Sequence, residues 1–289
     1  MKDLGFDGVY INLDRRPDRR AGIEAEIARH DLAHAYRRFA AVDGNALGIK
    51  GDLLDGQKGC FASHYLLLRQ NGGSGRPLHV VEDDAMFGPC TEQGLRLALE
   101  SRWLDGFDLL FTDTFVLPHA EAFRTYKNLF DRAVQRDAQG KITGVNFGVA
   151  DLRHKVFATT NSFLVNAASV EKLAKIYGDE IARGPELPID LFIRKLCGDG
   201  AIRVGLIFPF ITATRIEHSL QTDIGAQRDD VMEPLASDLA RQSFFIGCDW
   251  RKCEDYVQKF FPILPPGQDE HGRMLAHLLA ALAVHGMNK

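Results

Sequence analysis

Three consecutive acids, Glu82, Asp83 and Asp84, close the apolar run Val80-Val81, and apolar residues resume at once with Ala85, Met86 and Phe87. Adjacent like charges repel and resist burial, so this position calls for a counter-charge or for solvent. Alternate side chains of an extended segment share a face, so Glu82 and Asp84 can point together. Two carboxylates placed this way can hold a hard divalent cation, with water and phosphate oxygens completing its shell. A solvated turn is the alternative for the triplet taken alone.

The surrounding pattern supplies elements to position these acids. Val9, Ile11 and Leu13 alternate in a first strand over 8–13, and a helix is expected to start at Pro17, whose fixed φ suits a first helical position. A second strand over 37–44 ends in the turn signal Asp43-Gly44. Residues 58–70 read as a helix with Phe61, Tyr65 and Leu68 on one face. Further strands are expected at 77–82, 107–112, 161–166 and 202–210. Helices are expected at 167–178, closing at Gly178, and at 188–197, opening at Pro188. The stretch 113–158 is read as less regular and as a source of active-site loops.

Alternation of strands and helices predicts an α/β fold, with a mixed, mainly parallel sheet flanked by helices. Residues 1–220 are assigned to a catalytic domain and 221–289 to a helical C-terminal extension packed on it. That extension ends in an amphipathic helix with Leu275, Leu278, Leu279 and Leu282 on one face. Its polar face has few basic residues, so packing on the body or on a second subunit is favoured over more than peripheral membrane contact.

The 289-residue chain is 45% apolar and 26% charged, an ordinary globular composition. A formal net charge of −4 gives no broad attraction for nucleic acid, which is not expected as a partner. Five scattered cysteines, at 60, 90, 197, 248 and 253, form no CxxC pair and read as reduced thiols. No signal-like apolar region opens the chain and no run is long enough to span a bilayer. A cytoplasmic location is therefore expected, at most peripheral to the inner membrane surface.

Four motifs follow one another in order: Ile11-Asn12-Leu13 through Arg20, Phe39 to Gly44, Gly56 to His64, and Val81 to Asp84. A fifth, weaker one is Pro188-Ile189-Asp190-Leu191-Phe192. Together they resemble glycosyltransferase family 25, the group of lipopolysaccharide β-galactosyltransferases and collagen galactosyltransferases. The resemblance is clear over 8–87 and thinner to about 225. Two stretches depart from the family pattern. "TTNSFLVN" stands where a "GTHAYxVS"-like strand is common, and 113–158 has no recognised counterpart.

The resemblance implies a GT-A-like fold and inverting transfer of a sugar, galactose by preference, from a UDP-sugar to a hydroxyl of a glycan or lipopolysaccharide-type acceptor. It also implies Mn²⁺ or Mg²⁺ at the acidic motif, with Asp84 and then Glu82 as ligands and Asp83 turned away. His218 is the candidate for completing the metal shell. Asn12, Arg15, Asp43, Ser63 and His64 are candidates for the donor nucleotide, together with Glu82 and Asp83. An inverting transfer needs a general base; Asp190 is the first candidate and Asp113, after a strand, the second. Gln221, Thr222 and Asp223 form a looser candidate loop. Other readings are a metal-dependent nucleotide-sugar hydrolase or nucleotidyltransferase, or a non-catalytic sugar-nucleotide-binding protein. A nucleotidyltransferase usually has a glycine- and lysine-rich N-terminal phosphate loop, which residues 12–20 lack.

Overall fold

The computed structural model describes residues 3–44, 48–116, 120–139, 142–218, 232–249, 251–253 and 255–256, with the backbone alone at 120–121 and 232–236. Asp7–Asn12 form β1, and Pro17–Arg29 form α1, which begins at the expected proline. Tyr36–Ala40 form β2 and end four residues before the predicted limit. Asp55–Asn71 form α2, started by the Gln57 side chain accepting the Leu54 N–H at 3.0 Å. Leu78–Glu82 form β3, Ala85–Phe87 β4, Thr91–Glu100 α3 and Leu109–Phe111 β5. Ala120–Ala133 form α4, followed by β6 (Val134–Arg136), β7 (Ile142–Val145) and β8 (Gly148–Asp151). Ser162–Val165 form β9, Val170–Arg183 α5, Ile189–Gly198 α6, Val204–Phe208 β10, Thr212–Thr214 β11 and Met232–Ser243 α7.

Seven strands form one sheet in the order β2-β1-β3-β9-β5-β10-β8. The β1 pairings with β2 and β3 are parallel, as is β5 with β10; β9 and β8 run against their neighbours. The sheet is thus mixed and mainly parallel, and helices cover both faces. Period-2 alternation accounts for this layering. Val9, Ile11, Val80, Leu109, Phe111 and Val204 face the core shared with Phe61 of α2, Leu173 of α5 and Phe192 of α6. Tyr10 and Val81 face Ile23 and Ile27 of α1, and Leu110 and Leu164 face Leu95 of α3.

Three sequence expectations need correction. The helix expected to stop at Gly178 runs on to Arg183, with Gly184 beyond it at φ +93°. Gly178 has a packing role instead: a Cβ there would lie 2.9 Å from the Tyr65 ring on α2, so its absence lets α5 approach. The stretch 113–158 is not mainly loop, because α4, β6, β7 and β8 occupy it. Aromatic residues of α4 explain the order there, since Tyr126 stacks on Phe244, just beyond α7, at 5.4 Å between centroids and packs on Phe208. Finally, residues 85–87, where no element is expected, form β4, which pairs antiparallel with β11 and buries Ala85 and Phe87.

Within the C-terminal extension, Ala240, Phe244, Phe245 and Ile246 are buried in the main core. The expected helix around Leu275–Leu282 and the loop Gln221–Asp223 lie outside the described residues. Among the described residues, no helix is long and apolar enough to cross a membrane.

Candidate active site

Strand register assembles the site. Ile11 pairs with Glu82 across the parallel β1–β3 ladder, so the next residues, Asn12 and Asp83, meet at the carboxyl ends. Val81 pairs with Ser162 of β9, and Phe111 pairs with Phe163, which brings Asn161 between Glu82 and Asp113. The Glu82 N–H donates to Asn161 O at 2.8 Å, and Asn161 Nδ2 donates to Asp113 at 3.2 Å. The ends of β1, β3 and β5 therefore share one edge, the edge at which open α/β sheets bind ligands.

Within the triplet the side chains separate by face. The Asp83 side chain is buried, accepting from Asn12 Nδ2 at 2.7 Å and from Arg19 Nη1 at 3.2 Å. Glu82 and Asp84 are each about one-fifth exposed, Glu82 lying beside His64 and Asp84 beside the Arg19 guanidinium that also holds Asp83. The Glu82 Oε1 accepts from Thr160 Oγ1 at 2.5 Å and lies 3.5 Å from His64 Nε2. Burial works against its charge, but His64, Thr160 and Arg19 outweigh that and hold the Glu82 pKa below its usual value. Asp84 lacks such support: burial first, then the Glu82 charge, push its pKa up to about 7, although Arg19 Nη1 stands 3.7 Å from its Oδ2.

Neighbouring elements hold the rim. Ser63 is buried on α2, donates to Gly59 O at 2.7 Å and accepts the Val42 N–H at 2.8 Å. It clamps the loop that presents Asp43, so its place is beneath that loop. Gly44 and Gly59 permit the contact: a Cβ on Gly44 would overlap Asp55 O at 1.6 Å, and one on Gly59 would lie 2.7 Å from Val42 O. Asp43 forms an ion pair with Arg15, both about two-fifths exposed. Asn12 is buried and engaged with Asp83 and with Arg38 Nε at 3.1 Å. His64 is buried, and its Nε2 has no hydrogen-bond partner among the described residues.

Asp190 lies in the first turn of α6, partly exposed. Its Oδ1 accepts the Leu191 N–H at 2.9 Å and its Oδ2 the Thr159 N–H at 3.2 Å. Thr159 has φ +84°, a strained conformation for a β-branched residue that costs about 1–3 kcal/mol and collects at functional sites. Burial pushes the Cys60 thiol pKa well up, and the charges of Glu82, Asp190 and Asp84 add to this.

Asp113 is set apart. It has no exposure and is bonded by Arg241 of α7 and by Asn161. Burial raises its pKa although Arg241 opposes this. Such a carboxylate anchors α7 to β5 and offers no open oxygen to an acceptor. His218 ends a short 3-10 helix, Ile216–His218, after β11. Its Nδ1 is buried without a hydrogen-bond partner among the described residues, and burial, with Arg19 and Arg215, lowers its pKa to about 4.

Sequence reasoning passed over Arg19, Thr160, Arg38 and Arg241. Arg19 was readable, since it stands four residues before Ile23 and hence in the buried stripe of α1. Thr160 and Asn161 carry no spacing signature; only the β3–β9 register brings them to Glu82.

Fold and site together define a class: an α/β protein presenting carboxylates and guanidinium groups at the carboxyl edge of its sheet, over the crevice such folds use for phosphorylated ligands. The family is more specific. Residues 48–193, half of the chain, match glycosyltransferase family 25 (LPS biosynthesis protein), and the chain belongs to this family. The matched span contains Gly56 to His64, the acidic triplet and Asp190; the motifs at 11–20 and 39–44 precede it. Among solved structures, the chain is similar to the galactosyltransferase LgtC crystallised with donor and acceptor sugar analogs. The identity is 10%, over 82% of this chain and 83% of that one, with a TM-score of 0.32. No curated protein matches the chain.

Proposed function

We propose that this family 25 glycosyltransferase transfers a sugar, galactose by preference, from a UDP-sugar to a hydroxyl of a glycan or lipopolysaccharide-type acceptor, with inversion and with a divalent cation. The observation that carries the proposal is the pair Glu82 and Asp84, both partly exposed at the carboxyl end of β3 while Asp83 is held inside.

The residues present suit a hard cation such as Mn²⁺ or Mg²⁺. The donors of the pair are oxygens, and burial and then the Glu82 charge raise the Asp84 pKa, with Arg19 only partly opposing them. His218, with an orphaned buried Nδ1, is the candidate further ligand. When bound, such an ion acts as a Lewis acid that stabilises charge on the departing pyrophosphate.

The chain's own groups do the rest. Arg15 and Asp43 stand at the rim to meet the ribose and phosphates of the donor, and Arg19 keeps positive charge beside Asp84. Asp190 takes the proton from the acceptor hydroxyl as that oxygen attacks the anomeric carbon and the carbon–oxygen bond to UDP breaks. Thr159 and Leu191 N–H groups fix its carboxylate for this task. The extension from 221 onward is proposed to complete this unit, since its α7 docks on β5 through Arg241 and Asp113.

Calorimetric titration of UDP with and without Mn²⁺ tests the reading of the site. Binding that strengthens at least about tenfold with the ion, and loses this gain in Asp84→Asn, is expected. Binding that is indifferent to the ion in both proteins refutes the metal seat.

A further inference from the structure

We propose that Cys60, His64 and Glu82 form a second cation site, for a thiophilic divalent ion of the zinc type. It goes beyond the transferase reading, adding Cys60 and His64 as ligands and sharing Glu82 with the donor-site pair. Cys60 and His64 are four residues apart on α2, so they share one helix face, and Glu82 reaches them from the end of β3. One donor atom of each, Sγ, an imidazole nitrogen and a carboxylate oxygen, lies within 4.8 Å of the others.

An independent observation points into this space. His64 is 3% exposed, and its Nε2 is buried with no hydrogen-bond partner among the described residues. A buried imidazole nitrogen normally finds a partner, and leaving it without one costs about 1–3 kcal/mol. Glu82 Oε1, 3.5 Å away, gives it no good hydrogen bond, whereas an ion between them would engage both.

The ligand types select the ion. Thiolate, imidazole and carboxylate suit zinc, while Mg²⁺ and Mn²⁺ prefer all-oxygen shells. Three protein ligands leave a fourth tetrahedral position open. One thiolate and one carboxylate also balance the two charges of the ion, with the thiol proton released to solvent. Cys60 and Glu82 are each partly exposed, which gives the ion a path from the cleft. Thr160 Oγ1 donates to Glu82 at 2.5 Å and orients the carboxylate. Because Glu82 belongs also to the donor-site pair, zinc seated here withdraws it from that pair and inhibits transfer.

Cobalt titration of the full chain tests the site, because a thiolate ligand gives Co²⁺ a near-ultraviolet charge-transfer band. The expected result is one equivalent bound with that band, displaced by zinc. Cys60→Ser should abolish the band, and His64→Ala should weaken binding at least about tenfold. Cys248 and Cys253, whose sulfurs lie 3.9 Å apart, are the competing thiols, so a Cys248→Ala/Cys253→Ala variant should keep the band. No band in the unmodified protein, a band that survives Cys60→Ser, or one lost with the Cys248–Cys253 pair would each overturn the proposal. The spectrum is independent of turnover, so failure here leaves the transferase reading, which turns on Asp84, standing.

Discussion

Asn12 Nδ2 donates to Asp83 Oδ2 at 2.7 Å, joining the carboxyl ends of β1 and β3 inside the protein. The middle acid of the triplet is thereby structural, and its two neighbours are left to face the cleft. Removing the amide leaves a buried carboxylate with Arg19 as its remaining named partner. Asn12→Ala should cost about 1.5–3 kcal/mol in urea unfolding, the range for a hydrogen bond to a charged group. A loss below about 0.5 kcal/mol would show that Asp83 does not depend on this contact.

The two candidate bases separate by burial. Asp190 is partly exposed, whereas Asp113 is enclosed by Arg241 and Asn161. Asp190→Asn should lower kcat about 10²–10⁴-fold with little change in unfolding. Asp113→Asn should act chiefly on stability, by about 1.5–3 kcal/mol, because it leaves the buried Arg241 with Asp238 as its remaining carboxylate. Paired kinetics and denaturation of the two variants check this; equal kcat losses in folded proteins would contradict it.

Gly44 holds the Asp43 loop against the backbone of α2, and a Cβ there meets Asp55 O at 1.6 Å. Gly44→Ala must move the loop, and it should lower stability by about 1–3 kcal/mol, the usual cost of overpacking. Because Asp43 sits at the rim, the kinetic effect should fall on KM for the donor more than on kcat. Steady-state kinetics of the variant decide between a donor-side rim and a loop without contact to substrate.

These assignments were unevenly legible in the sequence. Strand alternation singles out Asp83 as the inward acid, although Asp83 and Asp84 lie in the turn between β3 and β4, and Pro17 marks the start of α1 by its fixed φ. Arg19 was readable from its four-residue spacing to Ile23 in the buried stripe of α1. Gly178 resembles a stop signal because the sequence does not show that Tyr65 packs on it. Thr160, Asn161 and Arg241 reach the site edge only through strand register and the docking of α7, neither of which leaves a local pattern.

His79 is fully buried between Tyr36 Oη and Ser162 Oγ, and burial lowers its pKa to about 3. The unfolded chain therefore binds its proton first on acidification, near the usual value of 6.5. Its contribution is fully present above that pH and is lost as pH falls from about 6.5 toward 3. Between pH 6.5 and 5 this amounts to about 2 kcal/mol. His79→Gln lowers stability throughout but should show a pH slope shallower by that amount in urea titrations at several pH values. An unchanged slope would mean that other groups set the acid sensitivity.

The central claim is that Glu82 and Asp84 seat a cation for sugar transfer from a UDP-sugar. Release of UDP from a panel of UDP-sugars, measured with Mn²⁺ and with EDTA in the presence of glycan acceptors, tests it most directly. The account predicts turnover with UDP-galactose, its loss in EDTA and its return on adding Mn²⁺. It also predicts a fall of about 10²–10³-fold in Asp84→Asn. That variant should stay folded and no less stable, since removing one of two like charges relieves their repulsion. Turnover untouched by EDTA and by Asp84→Asn would contradict the account, as would a well-folded protein that turns over none of the donors.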